Sequence, residues 1–346
     1  MNLLQEMARL EALPLLGTNR VKAQELMDSL ALRIDPNAQP KLALRLLIRR
    51  FEASPTSSTT LAQLSTAESW ATRDGFEDER VRMQLLWCTS VGRQFPDAVP
   101  RTVLDEAVRT AQSMGTLEAE WRLALATVQP GNANVLRVEA LALLPSPASD
   151  SVRITVLLDV AEDKARGSDH SGALKAIHDA VEIAEMHQDP NAMCESLTRL
   201  GYALLNQGKH DAAIRHLQRA FELARSEEND LATVITGTPL SAILLEQGEM
   251  ERAGVIADRL LISGARRANW FAVVNGHITR SAILLASGDP TAAIERLVRA
   301  AVHLRELVPA AAINLLKGRL AELRHNIGPA AFDAHYRTAV ERHRAS

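Results

Sequence analysis

The feature that most constrains the fold is an internal repeat with a period of 40 residues. Three seven-residue segments that each end in glycine resemble one another at this spacing: Tyr202–Gly208, Ala242–Gly248 and Ala282–Gly288. Alanines downstream keep the same spacing: Ala173, Ala213, Ala253 and Ala293. A fixed period of this size is typical of proteins built from stacked supersecondary units, so it outweighs local patterns in deciding the architecture.

A small residue between two amphipathic segments marks a turn in each unit. Along the chain these positions are Gly17, Ser54, Gly92, Gly131, Gly167, Gly208, Gly248, Gly288 and Gly328. They predict nine helix-turn-helix units, about eighteen helices, in one continuous solenoid over residues 1–346. In this prediction, 1–150 hold divergent repeats, 151–308 hold regular repeats, and 309–346 hold the last hairpin and a C-terminal cap.

Each half of a unit has the periodicity of a helix. In the clearest second half the apolar residues fall on one helical face: Ala213, Leu217, Ala220, Phe221 and Ala224. The turn glycines suit helix C-caps that need a positive φ. Although 47% of the residues are apolar, only 3% are aromatic, which disfavours a β-sandwich or barrel. The sequence therefore predicts an all-α protein.

These units resemble the tetratricopeptide repeat. The resemblance is carried by a small residue in the first helix, glycine at the turn and alanines in the second helix: Gly201, Gly208, Ala213 and Ala220 in the clearest unit. It is good over residues 152–305, although the period is about 40 instead of 34 and the usual closing proline is absent. Long units of this type are similar to the peptide- and ligand-sensing repeat domains of bacterial regulators. The resemblance implies a right-handed α-α superhelix.

In that family, the first helices line a concave surface that holds peptides or partner proteins. The groove positions carried over to this sequence are Glu162, Arg166, Glu195, Thr198, Tyr202, Asn206, Glu246 and Asn275. Asn206 and Asn275 are the favoured contacts, because an amide can both donate to and accept from a peptide backbone. The alternative for each position is a solvated surface residue. The Lys, Asn and Arg set with which some members bind acidic C-terminal tails is missing.

A second candidate surface is the connection between two units at residues 266–271. Here Arg266 and Arg267 stand close to Trp270 and Phe271, and both residue types are enriched at interface hot spots. The alternative is that the two aromatic residues open the next helix and pack it against its neighbour.

No motif for catalysis, metal binding or a cofactor is found in the sequence. The histidines build no three- or four-ligand set, and phosphate-loop, HExxH and GxSxG patterns are absent. We therefore expect no enzyme activity, no cofactor and no metal. Cys88 and Cys194 are interpreted as buried structural thiols. Two cysteines without a secretory leader, and no apolar run long enough to span a membrane, predict a cytoplasmic protein.

Charge is unevenly distributed along the chain, whose net charge is −3. Residues 51–250 carry −12, whereas 1–50 carry +3 and 251–346 carry +6. An acidic middle favours a protein or peptide partner with a basic segment. The expected function is a non-enzymatic scaffold or regulatory adaptor, and the alternative within this class is a ligand- or peptide-sensing signalling regulator. The oligomeric state stays open.

Nucleic-acid binding is the alternative from a different functional class. It would use the basic residues of the C-terminal third: Arg296, Arg299, Arg305, Lys317, Arg319, Arg324, Arg337, Arg342 and Arg344. No aromatic stacking platform accompanies this set, so a protein or peptide partner is the favoured prediction.

Overall fold

A computed structural model describes residues 2–53, 75–304 and 310–345 of the chain. These residues form seventeen α-helices and one 3₁₀ turn, Pro96–Ala98, with no strand among them. In chain order the helices are α1 Leu3–Ala12, α2 Gly17–Arg33, α3 Pro40–Ala53, α4 Glu77–Gln94, α5 Arg101–Met114, α6 Glu118–Val128, α7 Ala133–Leu143, α8 Asp150–Arg166, α9 His170–Met186, α10 Pro190–Leu205, α11 His210–Ser226, α12 Asp230–Glu246, α13 Met250–Arg266, α14 Trp270–Ala286, α15 Pro290–Leu304, α16 Ala310–Ile327 and α17 Pro329–Ala345. The predicted all-α class is confirmed for this part of the chain.

The helices group into two compact units, residues 1–192 and 193–346. Helices α1 to α9 and the first residues of α10 belong to the first unit, and the rest of α10 through α17 belongs to the second. One uninterrupted solenoid over residues 1–346 stays a prediction. The predicted turn at Ser54 lies outside the described residues. Among the helices described, none combines the length and apolar content that a membrane crossing requires.

The turns within the hairpins of the second unit use glycine in the left-handed conformation. Gly208, Gly248 and Gly288 have φ values of 69°, 77° and 84°. Each follows the end of a first helix, where a positive φ ends the helix and lets the chain reverse. The predicted C-cap role of these glycines is confirmed.

The turns between hairpins use the same conformation without glycine. Glu228 and Ala268, one period apart, have φ values of 50° and 49°. The next residue, Asn229 or Asn269, then caps the following helix by accepting a hydrogen bond from a backbone amide at 3.1 Å. Each turn between hairpins therefore combines a strained residue with the N-cap of the next helix.

Small residues let the helices of the second unit approach closely. Ala213, Ala253 and Ala293 are all 0% exposed. A β-carbon added to Gly201 on α10 would come within 2.5 Å of Cγ of Leu217 on α11. The repeated small residues are therefore packing requirements, because a larger side chain would force the two helices apart.

The predicted turn at Gly92 is wrong. Gly92 lies inside α4, which continues to Gln94, and the chain turns only afterwards, through the 3₁₀ segment Pro96–Ala98. A β-carbon at Gly92 would come within 2.2 Å of Oγ1 of Thr127 on α6. The glycine is thus explained by a close helix–helix approach and not by a turn.

Candidate functional site

The first helices of three consecutive hairpins, α10, α12 and α14, are neighbours in the second unit. Helix α12 packs against α14, and Tyr202 of α10 contacts the backbone of α12. We call the solvent-exposed side of these helices, from residue 193 onward, the A-helix face. It is the part of the second unit that corresponds to the predicted groove.

The A-helix face exposes large apolar side chains to solvent. Leu231 and Ile235 of α12 are each 46% exposed, Phe271 of α14 is 58% exposed, and Tyr202 of α10 is 40% exposed. Leu231 and Phe271 occupy the same repeat position one period apart. Exposed apolar side chains that are scattered singly are ordinary, but those grouped on adjacent elements mark binding surfaces. The A-helix face therefore has the apolar content expected of a docking surface.

A proline inside α12 accounts for the contact between α10 and α12. Pro239 has no N–H, so the carbonyl of Ile235, one helical turn earlier, loses its usual helical donor. The hydroxyl of Tyr202 donates to that carbonyl oxygen at 3.4 Å. Burial raises the pKa of Tyr202, so its hydroxyl stays protonated and able to donate. One side chain thus satisfies a backbone acceptor that the proline leaves free.

Four of the predicted groove residues lie in the second unit at solvent-exposed positions. Glu195 and Tyr202 are on α10, Asn206 follows the last residue of that helix, and Glu246 is the last residue of α12. Glu195 occupies the repeat position that Ile235 occupies one period later. The A-helix face therefore combines an apolar surface with exposed carboxylates.

Two other predicted groove residues use their side chains within their own helices. Thr198 is buried, and its hydroxyl donates to the carbonyl of Cys194 at 2.6 Å. Asn275 is half-buried, and its amide donates to the carbonyl of Phe271 at 3.0 Å. Burial therefore keeps Thr198 from a partner, whereas Asn275 still has its amide oxygen and a second N–H for one.

The remaining predicted groove residues, Glu162 and Arg166, lie at the end of α8 in the first unit. They form an exposed ion pair with an N–O distance of 3.2 Å, and Arg166 also pairs with Asp163 at 3.0 Å. Exposed pairs of this type contribute little to stability.

The second candidate surface, residues 266–271, divides into two parts. Trp270 is the first residue of α14 and packs, half-buried, against the core of the second unit, in agreement with the helix-opening alternative. Phe271 points to solvent and belongs to the A-helix face. Arg266 and Arg267 are exposed, and Arg266 lies 3.9 Å from a carboxylate oxygen of Asp230.

Sequence reasoning missed Leu231 and Ile235. Their apolar spacing along α12 is the same as that of buried residues, so periodicity alone does not separate them from the core. One signal was present: the repeat position of Ile235 holds Glu195 one period earlier and Asn275 one period later. An apolar residue at a position that is polar in neighbouring repeats indicates exposed apolar surface.

Several of the basic C-terminal residues form ion pairs within the described part of the chain. Arg299 pairs with Glu295 at 2.8 Å and Arg319 with Glu322 at 2.6 Å. Arg324 lies 3.3 Å from an oxygen of Asp333. Arg305 lies outside the described residues, as does the side chain of Arg344. These pairs reduce the net positive potential that a nucleic acid would meet.

Both cysteines are buried, Cys88 at 0% and Cys194 at 3% exposure. Burial raises the pKa of each thiol to about 11. Both are therefore protonated near neutral pH and are poor nucleophiles, in agreement with structural thiols. Across the described ranges, no group of three or more His, Cys, Asp or Glu side chains is placed to hold a metal ion.

Several solved structures are similar to this chain. A Rap protein in complex with Competence and Sporulation Factor matches 98% of this chain and 96% of its own, with a TM-score of 0.53 and 14% identity. Aspartyl phosphate phosphatase F from Bacillus subtilis matches 98% of this chain and 91% of its own, with a TM-score of 0.53 and 11% identity. No protein-family model and no curated protein matches the sequence.

A third similar structure names the repeat type. It is a signal transduction ATPase with numerous domains from Pyrococcus horikoshii, which carries a tetratricopeptide repeat sensor. It matches 86% of this chain at a TM-score of 0.63 and 12% identity, and the match spans about half of that protein, 47%. The fold is a tetratricopeptide-type helical repeat. Identities this low establish the fold alone.

Proposed function

We propose that this tetratricopeptide-type chain is a non-enzymatic regulatory protein that binds an extended peptide or protein segment on the A-helix face. One observation carries the proposal: Tyr202, Leu231, Ile235 and Phe271 expose apolar surface on adjacent first helices. Covering such a surface removes apolar area from water, which favours association. The reduced state of its two buried cysteines suits a cytoplasmic role.

The similar structures support a sensing role. One of them is a Rap protein complexed with Competence and Sporulation Factor, and another carries a tetratricopeptide repeat sensor. We therefore favour a peptide-sensing regulator of the bacterial type over a passive scaffold. Turnover that depends on a particular side chain of this protein would contradict the non-enzymatic part of the proposal.

The proposed partner carries apolar side chains together with a basic group. The apolar side chains would cover Leu231, Ile235 and Phe271. The basic group would lie beside Glu195 or Glu246, the exposed carboxylates on α10 and α12. The charge of −12 over residues 51–250 supports the basic group, since complementary charge speeds and orients association.

The test is a selection of peptides from a displayed random library on the wild-type protein, followed by measurement of their affinity for variants. Ile235→Ser and Phe271→Ser should each weaken binding by about 10- to 100-fold, because large side chains at the centre of an interface dominate affinity. The matched control is Val255→Ser on α13, an apolar side chain that is 60% exposed on a second helix. Equal losses of peptide affinity in Ile235→Ser and Val255→Ser would show that the peptide does not bind on the A-helix face.

A second measurement separates the peptide partner from a nucleic acid. Glu195→Lys should slow association of a basic peptide and reduce its salt dependence, because the carboxylate attracts that peptide at long range. Association of a nucleic acid with this variant should instead become faster, because a negative charge is replaced by a positive one. Salt-dependent retention of the wild-type protein on a nucleic-acid column would favour the alternative class.

A further inference from the structure

Two consecutive clefts in the second unit are equivalent in the repeat but differ in their chemistry. In one, Leu240 of α12 and Ile256 of α13 form part of the wall, at 0% and 6% exposure. One period later these positions are Arg280 of α14 and Arg296 of α15, and both line the next cleft. Two buried aliphatic side chains are thus replaced by two guanidinium groups.

The cleft that contains the arginines has a volume of about 250 Å³. Its lining consists of Asp258 on α13, Arg280, Ile283 and Leu284 on α14, and Arg296 on α15. Ile283 and Leu284 provide an apolar wall, and the other three side chains provide the charges. We call this cleft the arginine cavity.

Arg280 is held in place by two neighbours. Its Nε donates to Oδ1 of Asp258 at 2.7 Å, and a second guanidinium nitrogen donates to the other carboxylate oxygen. The guanidinium also lies against the backbone of Gly254, where a β-carbon would come within 2.8 Å of Nη1. Its charge is balanced by Asp258, and its orientation is fixed.

Arg296 has no such partner among the described residues. Its Nε is buried without a hydrogen bond. Burial, followed by the nearby charge of Arg280, lowers the pKa of Arg296, and the charge of Asp258 offsets this only in part. A half-buried guanidinium whose charge is only partly offset is costly, and an anion that reaches it removes part of that cost.

We propose that the arginine cavity binds a small oxyanion, a carboxylate or a phosphate, between Arg296 and Arg280. With two guanidinium groups and one carboxylate in its lining, the cavity keeps one excess positive charge for the ligand. The oxygens of the ligand accept hydrogen bonds from the guanidinium of Arg296, whose planar fork suits carboxylate and phosphate geometry. Ile283 and Leu284 provide contacts for the aliphatic stem of a carboxylate. The site is separate from the A-helix face.

The experiment compares thermal unfolding and isothermal titration in inorganic phosphate and in butyrate with those in chloride at equal ionic strength. We expect phosphate, butyrate or both to raise the unfolding midpoint of the wild-type protein with a saturable dependence on concentration. Arg296→Met keeps the aliphatic stem and removes the charge, so its affinity for the same anion should fall by about tenfold or more. A rise with butyrate alone assigns the site to carboxylates, and a rise with phosphate alone assigns it to phosphates.

The matched control is Arg299→Met, which removes a charge one turn further along α15, where Arg299 pairs with Glu295 at 2.8 Å. It should keep the anion response of the wild-type protein. An equal response in the wild-type protein and in Arg296→Met, an equal loss in both variants, or no response to either anion would overturn the proposal. If Arg296→Met does not fold, Arg296→Gln decides: it stays polar but loses the charge, so an unchanged anion affinity would overturn the proposal as well.

Discussion

The backbone amide of Gly17 donates a hydrogen bond to Oδ2 of Asp189 at 2.8 Å, although the two residues are 172 positions apart in the first unit. Asp189 is 3% exposed, and its other oxygen caps α10 by accepting from the amide of Ala192 at 2.9 Å. The turn between α1 and α2 therefore touches the turn between α9 and α10. Contacts in this unit are consequently not limited to neighbouring hairpins, unlike those of an open solenoid.

Gly17→Ala should destabilise the protein strongly. Gly17 has a φ of 53°, and a β-carbon there would come within 1.9 Å of the carbonyl oxygen of His187. We expect a loss of about 2–4 kcal/mol from backbone strain and overpacking together, measured by urea unfolding. The control is Gly115→Ala, where φ is 65° and no atom lies within 4 Å of the new methyl group. That change should cost only about 1 kcal/mol, and equal losses would mean that the Gly17 contact is not formed in solution.

Tyr202→Phe and Pro239→Ala should be energetically coupled. Tyr202→Phe alone removes the donor to the Ile235 carbonyl, and we expect a cost of about 0.5–1.5 kcal/mol. Pro239→Ala restores a helical N–H for that carbonyl, so Tyr202→Phe should cost almost nothing in this background. A double-mutant cycle by chemical unfolding measures the difference. Strict additivity of the two changes would show that the hydroxyl and the carbonyl do not interact.

Ala268→Gly should stabilise the protein. Ala268 is held at a φ of 49°, a conformation that costs a residue with a β-carbon about 1 kcal/mol and costs glycine almost nothing. The expected gain is about 0.5–1 kcal/mol in the free energy of unfolding. Ala334→Gly, at an exposed position inside α17, is the control and should instead lose about 1 kcal/mol. A loss of similar size in both variants would argue against the left-handed turn.

Stability should fall in mild acid because of His277. Burial, with the charges of Arg296 and His303, lowers its pKa from 6.5 to about 4, and its Nδ1 is buried without a partner. Between these two pH values the imidazole is protonated in the unfolded chain but neutral in the folded one. The contribution of His277 to the free energy of unfolding is therefore complete above about pH 6.5 and is lost as the pH falls toward about 4. Because the ring is partly exposed, we expect a loss of about 1–2 kcal/mol.

Urea unfolding over this pH range, with His277→Gln as the variant, isolates the effect. The variant should show a smaller loss of stability in acid than the wild-type protein, whereas the control His210→Gln, at an exposed position, should follow the wild type. Parallel pH profiles for the wild-type protein and His277→Gln would rule out His277 as the source.

The helical repeat was predictable because its cause is local. Glycine at Gly208, Gly248 and Gly288 permits a positive φ, and the alanines keep the period because each meets the same helix–helix contact. Gly92 shows the limit of this reasoning. A missing β-carbon serves a turn and a close helix approach equally well, and only the position of Thr127 distinguishes them.

The candidate site was less predictable because its character depends on which apolar residues remain uncovered. Leu231 and Ile235 satisfy the spacing of core residues, and only the polar residues one period away from Ile235 indicate that it faces water. Thr198 is the opposite case: a polar residue at a predicted groove position turns its hydroxyl back to its own helix. Exposure is a property of the stacked repeats and not of one segment.

The two buried thiols make this protein well suited to site-specific labelling. Cys88 and Cys194 are the only cysteines in the chain, and with pKa values near 11 almost none of either is thiolate at neutral pH. A maleimide dye would therefore react almost entirely with a newly introduced, exposed cysteine. Ala242→Cys, at an exposed position of α12, would place an environment-sensitive fluorophore near Ile235 without removal of the native thiols. Its emission would then report occupancy of the A-helix face in real time.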